Sequence, residues 1–478
     1  MTDPNRVEKA QSSEEVRSQV NRSKLTRRKF LTRASVAAVG MIAASKALRV
    51  AASTPAKIVI LGAGFAGLSA AYLLSKQGIS ATILEARSRI GGRVFSHTID
   101  STDKLVVELG AEWVGASHKR VIELCQELGL ELKNNQFDTH LIYKGRYFDQ
   151  NSWDYSESCQ KKIQEILDAY SNLSEANKAE LDRMDWWRYL VNNGIGGQDL
   201  DLRELLDSTD FGESIRHVSA LAALSEYAES SKKNEMDYKI VGGNHQLAQA
   251  MAAKIGTEKI LLNHKVVSVT QSGETVTITC ENGFKIEANK IICTLPTFAI
   301  SQINWEPMLP HDKREAINAL QYSRINKNAL LYNQRFWKDE SFDLATDILP
   351  HYFYHATKNQ PAQKGALISY TIGDKADVFA RQSDEWRSRV VNDALKPAFG
   401  DTQSHLLSQA SYYWGNDNFS RGAYAIYRPG QWFTIRPILE RKFENIHFAG
   451  EHLADWQGFM EGAVNTGEAA AQQILSDR

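Results

Sequence analysis

Cysteine is scarce in this chain: Cys125, Cys159, Cys280 and Cys293 are the only four in 478 residues, and none forms a CxxC pair. That excludes a disulfide scaffold and the usual thiolate metal or redox motifs, so each thiol is expected to be a small buried apolar group, with no metal site. An excess of one charge is missing as well. With 56 basic and 57 acidic side chains there is no global field to draw in nucleic acid or an anionic membrane, which leaves small molecules as the expected partners. Long hydrophobic runs are absent: the weakly apolar stretch from Ala34 to Ala47 is too short to span a bilayer. What remains, 43% hydrophobic and 24% charged residues, is the composition of a soluble globular enzyme. The length exceeds one ordinary core, which implies two intertwined domains.

The most informative stretch runs from Lys57 to Arg93. The apolar run Ile58-Val59-Ile60-Leu61 leads into Gly62-Ala63-Gly64-Phe65-Ala66-Gly67, after which Leu68, Ala71, Tyr72 and Leu74 recur at helical spacing. Strand, glycine turn and helix in this order form a dinucleotide-binding unit. Gly62 permits the tight turn, Gly64 lets the backbone approach a pyrophosphate, and Gly67 lets the helix pack close to the strand, so that the helix N-terminus faces the phosphates. A second strand, Ala81-Thr82-Ile83-Leu84, delivers Glu85 where an acid binds a ribose hydroxyl pair and disfavours a 2'-phosphate. The motif by itself does not choose between NAD and FAD.

The residues that follow do. Glu85-Ala86-Arg87-Ser88-Arg89-Ile90-Gly91-Gly92-Arg93 resembles the second phosphate-binding element of the flavin-containing amine oxidases, where a double glycine and an arginine continue around FAD. The resemblance recurs along the chain to about Leu475. Val106 to Gly115, with Gly110, Ala111, Glu112 and Trp113, resembles the segment that brings backbone close to the flavin. Tyr238-Lys239-Ile240-Val241-Gly242-Gly243-Asn244 and the strands of a meander around Val266, Ile278 and Ile291 resemble the family's returning FAD domain, in which the backbone matching Val266 touches adenine.

Lys327 is ordinarily the kind of residue that enters a strand facing solvent; the resemblance makes it the lysine that holds a water against flavin N5. Trp414 to Tyr424 resembles the flavin-edge and aromatic-cage segment, with Trp414 beside the flavin and Tyr424 and Phe459 as walls. Ala423 stands where some monoamine oxidases carry a flavin-linked cysteine, so FAD is expected to be non-covalent. Finally Ile446-His447-Phe448-Ala449-Gly450-Glu451 is a strand ending at a glycine and an acid, and Gly458-Phe459-Met460 opens a helix. Its N-terminus, aimed at the flavin, would stabilise negative charge on the reduced ring, and the resemblance assigns Glu451 to the ribityl chain.

These matches imply an α/β protein in which a Rossmann-like FAD-binding domain of the glutathione-reductase type is interleaved with a mixed-sheet and helical substrate domain. FAD-binding parts are expected at 54–134, 237–300 and 431–478, a mainly helical substrate part at 135–236, and a substrate sheet at 301–430. Asp185-Trp186-Trp187 is expected to serve helix packing. Residues 1–53 are set apart as a leader: Thr26-Arg27-Arg28-Lys29-Phe30-Leu31 resembles a twin-arginine export signal, which implies an exported, periplasmic or extracellular protein.

The implied activity is FAD-dependent oxidation of a primary amine with oxygen, leaning to a bacterial L-amino-acid oxidase that yields a 2-oxo acid, ammonia and hydrogen peroxide. A monoamine or polyamine oxidase, and an FAD dehydrogenase or desaturase that does not use oxygen, are the alternatives; a homodimer stays open. An amino-acid substrate calls for an arginine to fork its carboxylate. Several amino-acid oxidases place that arginine after the Gly-Ala segment; Trp113 stands there instead, leaving Arg421, Arg428 and Arg436 as candidates.

Overall fold

Ile58–Leu61 is apolar at every position and buried along its whole length, as befits a strand covered on both faces. It is the centre of a five-stranded parallel sheet. Ala81–Leu84 and then Ile260–Leu261 lie on one side of it, and Lys290–Cys293 and then Ile446–Phe448 on the other. Four separate stretches of chain therefore build one sheet. The computed structural model describes residues 57–455 and 457–477, all within the unit Thr54–Arg478. The expected twin-arginine leader, residues 1–53, lies outside the described residues.

Close backbone approach holds this layer together. The first helix, Phe65–Lys76, crosses the last, Met460–Ser476, at a contact where Gly467 lies against the Ala66 carbonyl: a Cβ on Gly467 would sit 2.1 Å from that oxygen. Gly67 is equally confined, since a Cβ there would fall 2.0 Å from the Gly62 carbonyl oxygen, whereas a Cβ on Gly64 would meet nothing within 4 Å. The last helix also caps another. Both oxygens of Glu461 accept backbone N–H groups of Arg120 and Val121, 2.9 and 2.8 Å away, in the first turn of Lys119–Glu127.

A second, seven-stranded sheet runs in the order Leu406–Tyr413, Ile325–Tyr332, Gly365–Ile372, Tyr352–His355, Phe342–Thr346, Asp138–Tyr143 and Arg146–Phe148. One face of its central strands packs Ile325, Ala329, Ile368 and Tyr354 into the cluster that reaches Leu109 and Trp414; the other packs Leu330, Leu367 and Phe353 against Val391 and Leu395 of the helix Asp384–Phe399. Of the expected meander, the strands at Val266 and Ile278 form a separate four-stranded sheet, in the order Lys285–Ala288, Thr275–Cys280, Val266–Ser272 and Asn304–Glu306, whereas the strand at Ile291 belongs to the parallel sheet.

Two further local expectations shift. The stretch 135–236, expected to be mainly helical, contains five α-helices from Glu157 to Glu229, but opens with the hairpin of Asp138–Tyr143 and Arg146–Phe148 that extends the second sheet. Lys144 and Gly145, with φ of 51° and 76°, make the tight turn, and a two-residue turn of this kind is a readable hairpin signal. The strand expected from Ala329 begins at Ile325, so Lys327 lies inside it and not at its entrance. Trp186 packs as expected: it is buried, begins a helix capped by Asp185, and donates its indole N–H to Asp207 at 2.7 Å. All four cysteines are buried.

Replacing Gly67 with alanine should destabilise the protein by about 1–3 kcal/mol, because the strand-to-helix turn must open to admit a methyl group. Gly64→Ala should cost less than about 1 kcal/mol, the loss from exchanging glycine at a helix N-cap. Denaturant unfolding of the two variants tests the contrast, and equal losses would refute it.

Candidate active site

A cavity of about 420 Å³ runs between the two sheets. Every residue singled out above as a cofactor contact or a catalytic group lines it except Gly67, whose place is in the packing of the first helix. At one end stand the glycine turn and Glu85. Glu85 is buried, and its two oxygens accept the backbone N–H groups of Ala63 and Arg87 at 2.7 and 2.8 Å. A carboxylate has roughly four lone-pair directions, so two remain for a ligand. Burial pushes this carboxyl upward, and the two backbone N–H groups oppose the shift. The backbone of residues 261–264 runs alongside, with Glu85 N–H donating to Leu261 and His264 N–H donating to Glu85, which brings Val266 to the same end.

The Arg87 guanidinium forks onto Asp417 at 2.7 and 2.6 Å and reaches Ser420 at 2.9 Å. Burial alone would raise the Asp417 carboxyl, but Arg87 holds it well below the usual range. Arg93 donates to Glu451 at 2.6 Å, and Glu451 also accepts the Gly458 N–H at 2.8 Å. Both arginines thus clamp loops around the cavity. Gly92 lets that wall close: it has φ of 59°, and a Cβ on it would lie 3.2 Å from Gly64.

The first turns of two helices, at Phe65 and at Met460, line the cavity, and helix N-termini favour negative charge. With open space over Gly64 and the Glu85 acceptors, these features fit a dinucleotide with its pyrophosphate at the first helix. The buried Trp113 indole N–H, without an acceptor among the described residues, adds a donor for a bound group.

Lys327 lies where the two sheets meet. Its ammonium donates to the Gly110 carbonyl at 2.7 Å, the Tyr354 hydroxyl at 2.9 Å and, more weakly, the Glu108 carbonyl at 3.4 Å, with a Glu112 oxygen at 3.7 Å. It is 4% exposed, so the solvent-facing placement usual for a strand lysine does not hold here. Alternation explains the direction: Ile325, Lys327, Ala329 and Leu331 share the face toward the cavity, and Ala111 precedes the acid that offsets the charge. Burial pushes the Lys327 ammonium down to about 8, against the pull of Glu112 and Glu108.

Glu112, expected as a cofactor contact, commits its carboxylate to protein: Lys239 donates to it at 2.7 Å and Tyr354 at 3.0 Å. Asn244 fastens the same segment from the side, donating to the carbonyls of Ala111 and Glu112 at 3.0 and 2.6 Å.

Trp414 is buried and donates to the Leu109 carbonyl at 2.8 Å. The Tyr424 hydroxyl bonds the Asp210 carbonyl, and its ring lies against Gly458, where a Cβ would come within 2.8 Å. Phe459 packs edge-on to His118, with ring centroids 5.1 Å apart. None of Arg421, Arg428 and Arg436 lines the cavity; Arg421 lies over Phe298, and Arg436 pairs with Glu440 and Asp455. What sequence reasoning missed is the acidic and phenolic lining: Asp210, Glu226, Glu235, Asp343, Tyr352 and Tyr370. These residues sit on helices and strands with ordinary periodicity, and only the docking of those elements turns them inward.

The flavin containing amine oxidoreductase family matches residues 65–475. A probable flavin-containing monoamine oxidase A of Dictyostelium discoideum is 25% identical, across 88% of this chain and 98% of that protein. An L-amino-acid oxidase of Gloydius halys is 27% identical, across 89% of this chain and 90% of that protein. Among solved structures, cyclohexylamine oxidase from Brevibacterium oxydans IH-35A shares the fold with a TM-score of 0.79 at 23% identity, covering 89% of this chain and 99% of that one. The chain therefore belongs to the flavin-containing amine oxidoreductase family, as an oxidoreductase that acts on amines and holds FAD without a covalent bond.

Proposed function

We propose that this protein is an FAD-dependent oxidase of primary amines with oxygen as the acceptor. The observation that carries the reading is the buried Lys327 ammonium, fixed on the Gly110 carbonyl in the wall of a cavity whose aromatic side holds Tyr424, Phe459 and Trp414. Bound FAD supplies the hydride acceptor and the path for two electrons to oxygen. The chain's own residues supply the rest. Aromatic walls favour the neutral amine by desolvation, and only the neutral amine has a lone pair to stabilise the cation that forms as its α-carbon loses hydride. The product imine takes up water, so amine, oxygen and water give a carbonyl compound, ammonia and hydrogen peroxide.

Lys327 offers a fixed positive charge where oxygen gains negative charge. Its weakest bond, to the Glu108 carbonyl, is the one a water could replace. Glu85 takes the ribose hydroxyls on its two free lone pairs, and Arg87 and Arg93 hold the surrounding loops. An L-amino-acid substrate is the second reading, favoured by relatives such as the Gloydius halys enzyme; the two arginines that line the cavity, Arg87 and Arg93, are already paired with Asp417 and Glu451. Export through the twin-arginine route, resting on Arg27 and Arg28, belongs to the same proposal.

Supplied with primary amines in air, the purified holoenzyme should release hydrogen peroxide in equimolar amount to the ammonia formed. Flavin bleaching without oxygen, followed by no peroxide on admitting air, would instead identify a dehydrogenase.

Lys327→Met should leave anaerobic reduction by substrate nearly unchanged and slow reoxidation by oxygen about tenfold, or ~1.4 kcal/mol of barrier. Because burial lowers the parent ammonium to about 8, the charge is present below that pH and lost above it. Reoxidation by the parent enzyme should therefore fall as pH rises through about 8, and the variant should lack this step. Stopped-flow traces that show equal reoxidation in both proteins across that range would remove Lys327 from the oxygen reaction.

Glu85→Gln should weaken FAD by about 1.5–3 kcal/mol, the worth of hydrogen bonds to a charged group. It should also lower the stability of the apoprotein, because the new amide N–H must face the N–H of Ala63 or Arg87. Flavin titration and thermal unfolding report the two effects separately; parental FAD affinity would contradict the ribose assignment.

A further inference from the structure

The side of the cavity built by the helical segment and the second sheet is lined with carboxyl groups: Asp210, Glu226, Glu235 and Asp343. Three of them have partners. Asp210 accepts the Tyr227 hydroxyl at 2.8 Å; Glu235 accepts the Ser117 hydroxyl and, at 2.7 Å, the Ser231 N–H, and has His118 at 3.3 Å; Asp343 accepts the Tyr352 and Thr139 hydroxyls at 2.5 and 3.2 Å on one oxygen. Glu226 differs. It is 6% exposed, it lines the cavity, and among the described residues its carboxylate has neither a hydrogen-bond donor nor a basic partner.

A buried carboxylate left unpaired must take up a proton or wait for a cation. Burial pushes the Glu226 carboxyl well up, and Asp210 and Glu235 push it further. Burial, with Asp207 behind it, brings Asp210 up to about 7. The cluster is adjacent to the amine cage, because the Tyr424 hydroxyl bonds the Asp210 carbonyl.

On the reading of the protein as an amine oxidase, we propose that Glu226, with Asp210, seats a second cationic group of the substrate, so that the preferred amine carries an ammonium at some distance from the one that is oxidised. The same groups repel a substrate carboxylate, and no arginine stands among them to receive one. A second ammonium can belong to an alkyl diamine or to the side chain of a basic amino acid, and comparison of matched pairs separates the two.

The holoenzyme is titrated without oxygen, following heat of binding and flavin bleaching, with α,ω-diaminoalkanes of increasing length against n-alkylamines of the same length, and with L-lysine against L-norleucine. The expected result is at least tenfold tighter binding for the dicationic member of one pair, falling to less than threefold in Glu226→Gln. A preference confined to diamines identifies an alkyl diamine as the substrate, and one confined to lysine identifies a basic amino acid. Equal constants within both pairs would overturn the cation seat while leaving the oxidase reading intact, provided the flavin bleaches. Tighter binding of a dication without bleaching by any of these compounds would keep the seat and sink the oxidase reading. If Glu226→Gln does not retain flavin, Asp210→Asn is read by the same ratio.

Discussion

The Lys327 ammonium joins the two halves of the molecule. It belongs to the strand next to one edge of the seven-stranded sheet, yet its shortest bond is to the Gly110 carbonyl on the loop that closes over the dinucleotide layer. A charge so deeply buried is tolerable only if every donor is used and an opposite charge is near. Tyr354 and Glu112 meet that need, and Glu112 in turn requires Lys239. Once this network is satisfied the positions of Gly110, Ala111 and Trp113 relative to the second sheet are fixed. Asn244 then pins the same loop to the turn after Tyr238–Ile240. The cavity wall is thus a consequence of satisfying one buried cation.

The cofactor end rests on a different constraint, the need for backbone to approach backbone. Gly67 and Gly467 are sites where no side chain fits against a neighbouring carbonyl, and they set the spacing of first strand, first helix and last helix. Gly64 has room, and that room faces the cavity. Sterics at two glycines and openness at a third divide the motif into residues that build the turn and a residue that leaves space for a ligand.

Charge is distributed unevenly over this frame. At the dinucleotide end Arg87 and Arg93 are paired with Asp417 and Glu451 beside two helix N-termini, while the opposite wall gathers carboxyl groups and phenols. The chain as a whole is nearly neutral, at −1, so the net charge does not reveal this local contrast. The helix N-termini at the first end suit a bound anion.

The sequence by itself determined the dinucleotide unit, the family resemblance at both ends of the chain, and most of the residues that line the cavity, because those features are local: a glycine turn, an acid after a strand, a helix beginning at a fixed offset. It also carried the Lys144-Gly145 hairpin signal within a stretch whose composition suggested helix. Only the tertiary structure decided that Lys327 is buried and held by protein groups, that Glu112 serves Lys239 and Tyr354, that Arg421, Arg428 and Arg436 stay out of the cavity, and that Glu226 and Asp210 enter it. Each of these depends on which face of an element is covered by a partner far along the chain, as when Lys327 meets Gly110 or Glu85 meets Leu261. Periodicity along one segment records that a face will be buried, and the partner that buries it lies elsewhere in the chain.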